Sequence, residues 1–381
     1  MTMGPAGEDA PRLAGRPIAW HQLHSALALA CERIVCLADG PSPDLAAVQH
    51  EAERRGATFH AVPHHRGLSG LVSAADTLVV YAPGVMPDNG WLGQALGSRT
   101  GIATFPADNA VELGFERIDR DHAWAGVLAT RGDAVEALAA LPPDADPVSG
   151  LLRVALQRGG NCVAVPEKWL DDGQWALIGS RAVADRHQAE WYLRHVPPPA
   201  ADRPGDYLAY RVARLANARI AFPARASRVA LGVAAALAGG GAIAGYLGYT
   251  VAALAALAVA AFASEAATAL GRFARAGTGE RAPRWLAPAR DALLDVALIA
   301  VAASPVAFSG WPAPFAALML AAAVRLSGDP AAPRPLRPLG DRAAVFVLLA
   351  IAAAADRLPG SMALLASLGL ALWLFWPRQR G

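Results

Sequence analysis

Val229–Gly271 reads VALGVAAALAGGGAIAGYLGYTVAALAALAVAAFASEAATALG. It contains no lysine or arginine, and Glu265 is its only charge. A bilayer core takes about 20 apolar residues per helix. The stretch therefore predicts two spans, with the turn at Gly245–Thr250 and with Tyr246 and Tyr249 at the interface. Downstream the pattern repeats. Leu293–Val324 is uncharged except for Asp295 and is divided by Ser309-Gly310-Trp311-Pro312. Ala343–Ala355 and Pro359–Trp376 give two more apolar segments, joined by Asp356 and Arg357. Residues 225–377 thus read as six transmembrane helices.

Arginine marks alternate connections. Arg211, Arg214, Arg219, Arg225 and Arg228 precede the first span, and Arg272, Arg275, Arg281, Arg284 and Arg290 separate the second from the third. Arg325, Arg334, Arg337 and Arg342 separate the fourth from the fifth, and Arg378 and Arg380 follow the sixth. The intervening connections hold only Arg357. Basic loops stay on the inner side, so the expectation is a multi-pass inner-membrane protein with both termini cytoplasmic. Trp285, Trp311, Trp373 and Trp376 fall at the expected interfaces. Just before the first span, residues 207–224 predict an interfacial amphipathic helix on anionic lipid. Tyr207, Leu208, Val212, Leu215 and Ile220 share one side, and Arg211, Arg214 and Arg219 flank it.

The first half has a different composition. The whole chain of 381 residues is 54% hydrophobic and only 17% charged, against about a quarter charged in soluble domains. All nine histidines and all three cysteines nevertheless lie before residue 200. A net charge of +2 argues against general nucleic-acid binding. Cys31, Cys36 and Cys162 have no spacing that suggests a disulfide framework or a zinc ribbon. The opening residues contain no apolar run of the signal-peptide type. Residues 1–16 are expected to be disordered, 17–196 to be a cytoplasmic α/β domain, and 197–206 to be a proline-rich linker. Within 17–196, helical and strand patterns alternate: WHQLHSALALA, RIVCLA, PDLAAVQHEAERRG, ATFHAV, RGLSGLVSAAD, TLVVYA, GIATFP and GDAVEALAAL. Such alternation predicts a parallel, Rossmann-like sheet wound with helices.

Two stretches of this half carry a resemblance. Gly15–Gly40 (GRPIAWHQLHSALALACERIVCLADG) and Thr77–Asp88 (TLVVYAPGVMPD) resemble sugar-phosphate nucleotidyltransferases, the first after their nucleotide loop and the second at their metal-binding strand. The resemblance implies a nucleotidyltransferase-like α/β fold. Ala82-Pro83-Gly84 stands where that family carries its metal-binding aspartate, and MGPAGEDAPR departs from its glycine-rich loop. The resemblance therefore implies the fold without its chemistry. His60, His64 and His65 lack a neighbouring cysteine or paired carboxylate, which argues against a metal site. His21 and His24 read as surface or capping residues, and Asp144 and Asp146 as turn and helix-cap residues.

In the membrane half, the acids to explain are Glu265, Asp291 and Asp295. Asp291 and Asp295 are one helical turn apart and face one way. An amphipathic helix, six spans and the closing Asp-x3-Asp together resemble the CDP-alcohol phosphotransferases. Gly271, Ala274 and Arg275 keep that family's spacing, whereas Ala267 and Leu270 replace its first two aspartates and Ala287 replaces a glycine. Pro223 to Ser227 echoes a further element of the family. The resemblance implies Asp295 as general base and Asp291 as metal ligand, with Glu265 as a substitute ligand. It also implies Ser227 and Arg275 as substrate-binding residues and Mg2+ or Mn2+ as the cofactor of an active enzyme. Some members of the family are fused to a cytoplasmic inositol-phosphate cytidylyltransferase-like domain, the order found here.

Two functions follow as expectations. One is a divergent transferase of phospholipid or phospho-alcohol metabolism, acting on a CDP-linked small molecule. The other is a pseudoenzyme, a membrane scaffold or lipid- or nucleotide-binding protein that keeps both folds without their chemistry. Expected partners are membrane lipid and a second copy packed through small-residue helix faces. No span is interrupted around an ion site, which disfavours transport. Protease added outside intact cells is expected to leave residues 17–196 uncut. Cleavage there from outside would overturn the topology.

Overall fold

The structure is a computed structural model. It describes all residues except 3–9, 69, 98, 139–145, 218–222, 279, 309, 330 and 377–381. Asp144, Arg219, Ile220, Ser309, Arg378 and Arg380 therefore lie outside the described residues. The chain divides into two units, Met1–Arg194 and His195–Gly381.

The first unit is α/β. β1 (Arg12–Leu13) and β2 (Arg16–Pro17) form a small antiparallel pair, followed by α1 (Ile18–Ala28), β3 (Arg33–Leu37), α2 (Pro43–Arg54) and β4 (Thr58–Val62). Next come β5 (Thr77–Tyr81), β6 (Val85–Met86), α3 (Asn89–Ala95), β7 (Gly101–Pro106), α4 (Ala107–Glu112) and β8 (His122–Arg131). The unit continues with α5 (Ala134–Leu138), α6 (Pro147–Gln157), β9 (Cys162–Ala164), α7 (Lys168–Asp171) and β10 (Ala176–Leu177), and ends with α8, Arg181–His195, whose last residue opens the second unit. Local chemistry explains several of these boundaries. Ser42 caps α2 through Leu45 N, and Asp146 caps α6 through Val148 N and Ser149 N.

The sheet differs from the all-parallel expectation. β3 and β4 pair in parallel, but the main sheet has the order β5-β8-β7-β9, and β8 runs antiparallel to both β5 and β7. β8 is buried on both faces along nearly its whole length, so it shows no alternation of apolar and polar residues. RGLSGLVSAAD forms no α-helix; a 3-10 turn over His65–Leu68 takes its place. The N-terminal segment is not uniformly disordered either, because Thr2 bridges Leu37 and Arg12–Pro17 forms the β1–β2 pair. His21 and His24 are buried rather than on the surface. His21 Nε2 is 2.9 Å from Leu13 O, and His24 Nε2 is 3.3 Å from Glu51.

The second unit is all-helical. α9 (Pro204–Asn217) precedes six helices: α10 (Pro223–Tyr246), α11 (Thr250–Arg275), α12 (Leu286–Ala302), α13 (Pro312–Ser327), α14 (Arg342–Ala354) and α15 (Leu358–Phe375). Among the described residues, three segments are long and apolar enough to cross a membrane: Ala224–Tyr246, Thr250–Arg275 and Leu358–Phe375. Pro312–Ser327 and Arg342–Ala354 are shorter apolar helices. The core is built from small and branched side chains such as Leu254, Leu257, Val301, Ala317, Leu320 and Leu349. A Cβ at Gly245 would lie 2.9 Å from Val301 Cβ, so glycine lets α10 approach α12 closely. Val233, Ile243, Val259, Val296, Leu348, Ile351 and Leu364 are exposed on the outside, as a lipid-facing surface requires. α9 buries Ala209, Tyr210 and Ala213 and exposes Leu208, Val212 and Leu215 as a stripe.

Trp175 is the largest fully buried side chain of the first unit. Its indole N–H donates to Ala125 O at 2.8 Å, and its ring meets Trp91 and Phe105 edge-on. Trp175→Ala is expected to destabilise this unit by about 3–5 kcal/mol. Pulse proteolysis of the detergent-solubilised chain across a urea series measures it.

Candidate functional site

Charged side chains inside an apolar bundle must find partners or neutralise. Here they form a chain of alternating sign. Glu265 on α11 lies 2.6 Å from Arg290 on α12, and Arg290 also holds Asp291 at 2.9 Å. Asp291 is 3.6 Å from Arg342 on α14. Arg342 in turn pairs with Asp295, whose other oxygen accepts from Arg325 Nε on α13 at 2.6 Å. The one-turn spacing of Asp291 and Asp295 therefore does place both on one face, where they share Arg342. Asp295 is buried, Glu265 and Asp291 are partly accessible, and Arg325 is about half exposed at 52%. The late part of α11, the beginnings of α12 and α14 and the end of α13 thus meet at one end of the bundle.

A second layer lies beside this chain. Asp341 is fully buried and joins two helix starts. Its Oδ1 accepts from Ala344 N at 3.0 Å and its Oδ2 from Gly205 N at 2.5 Å. Both helix N-termini carry partial positive charge, which a carboxylate complements. Arg203 ties the linker to the same end by donating to Arg337 O at 3.3 Å and Ser327 O at 3.1 Å. Asp206 on α9 faces Arg203 at 3.8 Å. Burial first, then the neighbouring Glu265 and Asp341 carboxylates, push the Asp206 pKa up to about 7 against the opposing pull of Arg203 and Arg290.

Ser227 and Arg275 lie together, but in packing roles. Ser227 is buried and donates to Ala267 O at 2.7 Å. A Cβ at Gly271 would stand 2.9 Å from Ser227 Oγ and 3.2 Å from Arg275 Nη1. The glycine thus lets α10 and α11 approach at this point, beneath the Arg275 side chain.

The residues present do not fit a divalent cation. Mg2+ and Mn2+ need several oxygen ligands converging on one point. Glu265 Oε1, Asp291 Oδ1 and both Asp295 oxygens instead face guanidinium nitrogens. Among the described residues, no group of three or more His, Cys, Asp or Glu side chains is placed to hold a metal. This includes His60, His64 and His65. In the first unit, Ala82-Pro83-Gly84 forms the turn after β5, with Gly84 at φ +79° against Ile178 O. No family model matches the sequence, and no curated protein matches it.

Sequence reading missed Arg203, Asp206 and Asp341, which look like ordinary linker and loop residues. The signal available was Asp341 directly before an apolar helix, a capping position.

Asp295→Ala takes away the nearer partner of the buried Arg342 and leaves it only Asp291 at 3.6 Å, and is expected to destabilise the bundle by about 3 kcal/mol. Arg325→Ala removes a pair open to solvent and is expected to change stability by less than about 1 kcal/mol. Unfolding of the full chain in mixed micelles measures both, and equal losses would contradict this partition. The Asp206 shift has a definite sign. Its folded pKa of about 7 lies above the ordinary 3.8, so protonation favours the fold. That stability is fully present below about pH 4 and is lost as pH rises through about 7. Asp206→Asn is expected to flatten the thermal midpoint between pH 5 and pH 8, in steps of about one pH unit. An unchanged pH profile would contradict the assignment.

Proposed function

We propose that the chain is a non-catalytic membrane protein of phospholipid or phospho-alcohol metabolism, with a CDP-alcohol-phosphotransferase-like helical domain. It holds its nucleotidyltransferase-like α/β domain at the cytoplasmic face of the inner membrane and binds anionic lipid there. The observation that carries this reading is the alternating chain Glu265–Arg290–Asp291–Arg342–Asp295–Arg325. Arginine occupies the space that a catalytic cation would need, and Asp295 accepts from two guanidiniums rather than from a substrate hydroxyl. With both oxygens taken up by guanidiniums, Asp295 has no lone pair turned towards an acceptor hydroxyl, as a general base would need.

Three further features support the membrane placement. Arginines gather at the polar end of the bundle, as a cytoplasmic face requires. The exposed stripe Leu208, Val212 and Leu215 with Arg211 beside it suits an anionic headgroup layer. All six helices, the shorter ones included, are read as spans.

A second reading keeps a divergent transferase. The retained Gly271, Ala274 and Arg275 and the one-turn spacing of Asp291 and Asp295 favour it. The test is CMP release from CDP-linked donors by the full chain in nanodiscs, with Mg2+ or Mn2+ and lipid or polyol acceptors. No CMP above background is expected. Release that disappears in Asp295→Asn would overturn the non-catalytic reading and restore the transferase.

A further inference from the structure

Among the described residues, β3 pairs with one strand, β4, and β5 with one strand, β8. Both strands line one cavity of about 390 Å3. They also start at the same end of it. Arg33, the first residue of β3, reaches Asp76, the residue before β5, at 3.2 Å. Paired strands lie about 4.8 Å apart, so a gap spanned by an arginine side chain has room for one further strand. Leu29 and Leu96 of one apolar cluster and Leu68 and Leu151 of another close the cavity above and below. A strand placed there is buried on both faces and must be apolar throughout.

The ladder for such a strand has already begun. Leu37 N donates to Met1 O at 2.9 Å, and Thr2 bridges Leu37 in parallel. The α-amino group of Met1 donates to Val35 O at 3.1 Å. Continued backwards from Met1, this ladder runs along Val35 towards Arg33 and into the cavity. Burial pushes the pKa of that α-amino group down. A neutral peptide N–H would make the same bond without burying a charge.

We propose that an extended apolar strand, continuous with Met1 on its N-terminal side and matching the five residues of β3 and of β5, fills this cavity. It joins the two sheets into one, in the order β4, β3, the added strand, β5, β8, β7, β9. The occupant is a segment of this same polypeptide ahead of Met1, because Met1 and Thr2 already set the polarity and register of the ladder.

Peptide mapping and intact mass of the protein from its natural source read its true start. An apolar run ahead of Met1 is expected, and a native chain beginning at Met1 overturns the proposal. In a second measurement, the full chain with and without five added apolar residues is compared by hydrogen exchange in detergent. The amides of Ile34–Leu37 and Leu78–Tyr81 are expected to exchange at least about tenfold more slowly in the longer chain. Equal exchange overturns the proposal. So does protection by the same peptide added in trans but not when fused to Met1, which would assign the cavity to a partner.

Discussion

The membrane unit depends on one electrostatic constraint. Ionised groups packed among apolar helices are neutralised by neighbours, because burial strips them of much of the water that would otherwise solvate them. Glu265, Asp291 and Asp295 meet this constraint with Arg290, Arg342 and Arg325. The alternation of sign along the chain places each inner charge between two of opposite sign. This arrangement also sets the chemistry available. Lone pairs turned towards guanidinium groups are not free for a cation, and arginine stays protonated at any physiological pH.

Much of the architecture was legible in the sequence. The β3 and β4 segments, the turn at GYLGYT and the helices flanking it carry strong local signals, namely short β-branched runs, glycine punctuation and long charge-free stretches. β8 carries no such signal. HAWAGVLATR is apolar on both faces and rich in alanine and glycine, so neither strand alternation nor helical periodicity marks it. Its antiparallel direction is a tertiary fact that no local pattern encodes.

The site divides in the same way. The spacing of Asp291 and Asp295 fixes their common face, since that follows from helix geometry alone. Their partners Arg325 and Arg342 come from other helices, at sequence separations of 30 and 47 from Asp295. A carboxylate pair awaiting a metal and a carboxylate pair awaiting arginines look alike in sequence. Arginines flanking apolar segments have a sufficient explanation in an expected topology, which conceals their second role. Asp341 is hidden for a related reason. Its capping bond to Ala344 is local, whereas its bond to Gly205 crosses 136 residues.

The same chain bears on helix register. Lipid-exposed helices have no strong hydrophobic drive to associate, so packing and polar contacts decide their arrangement. Here the packing surfaces are largely alanine and leucine, and such surfaces are nearly alike from turn to turn. Sliding α13 by one turn would leave much of that packing intact, yet would carry Arg325 about 5.4 Å along the axis from Asp295. Sliding α14 would in the same way separate Arg342 from Asp291 and Asp295 and remove Asp341 from Gly205. Each displacement breaks a charge pair, and for α14, whose slide would strip the buried Asp295 and Asp341 of partners, the penalty exceeds what one alanine contact contributes. The polar residues therefore select one axial alignment among several that the apolar residues tolerate. A metal site would have imposed the same selection through shared ligation. Here the arginines make that selection through ion pairs.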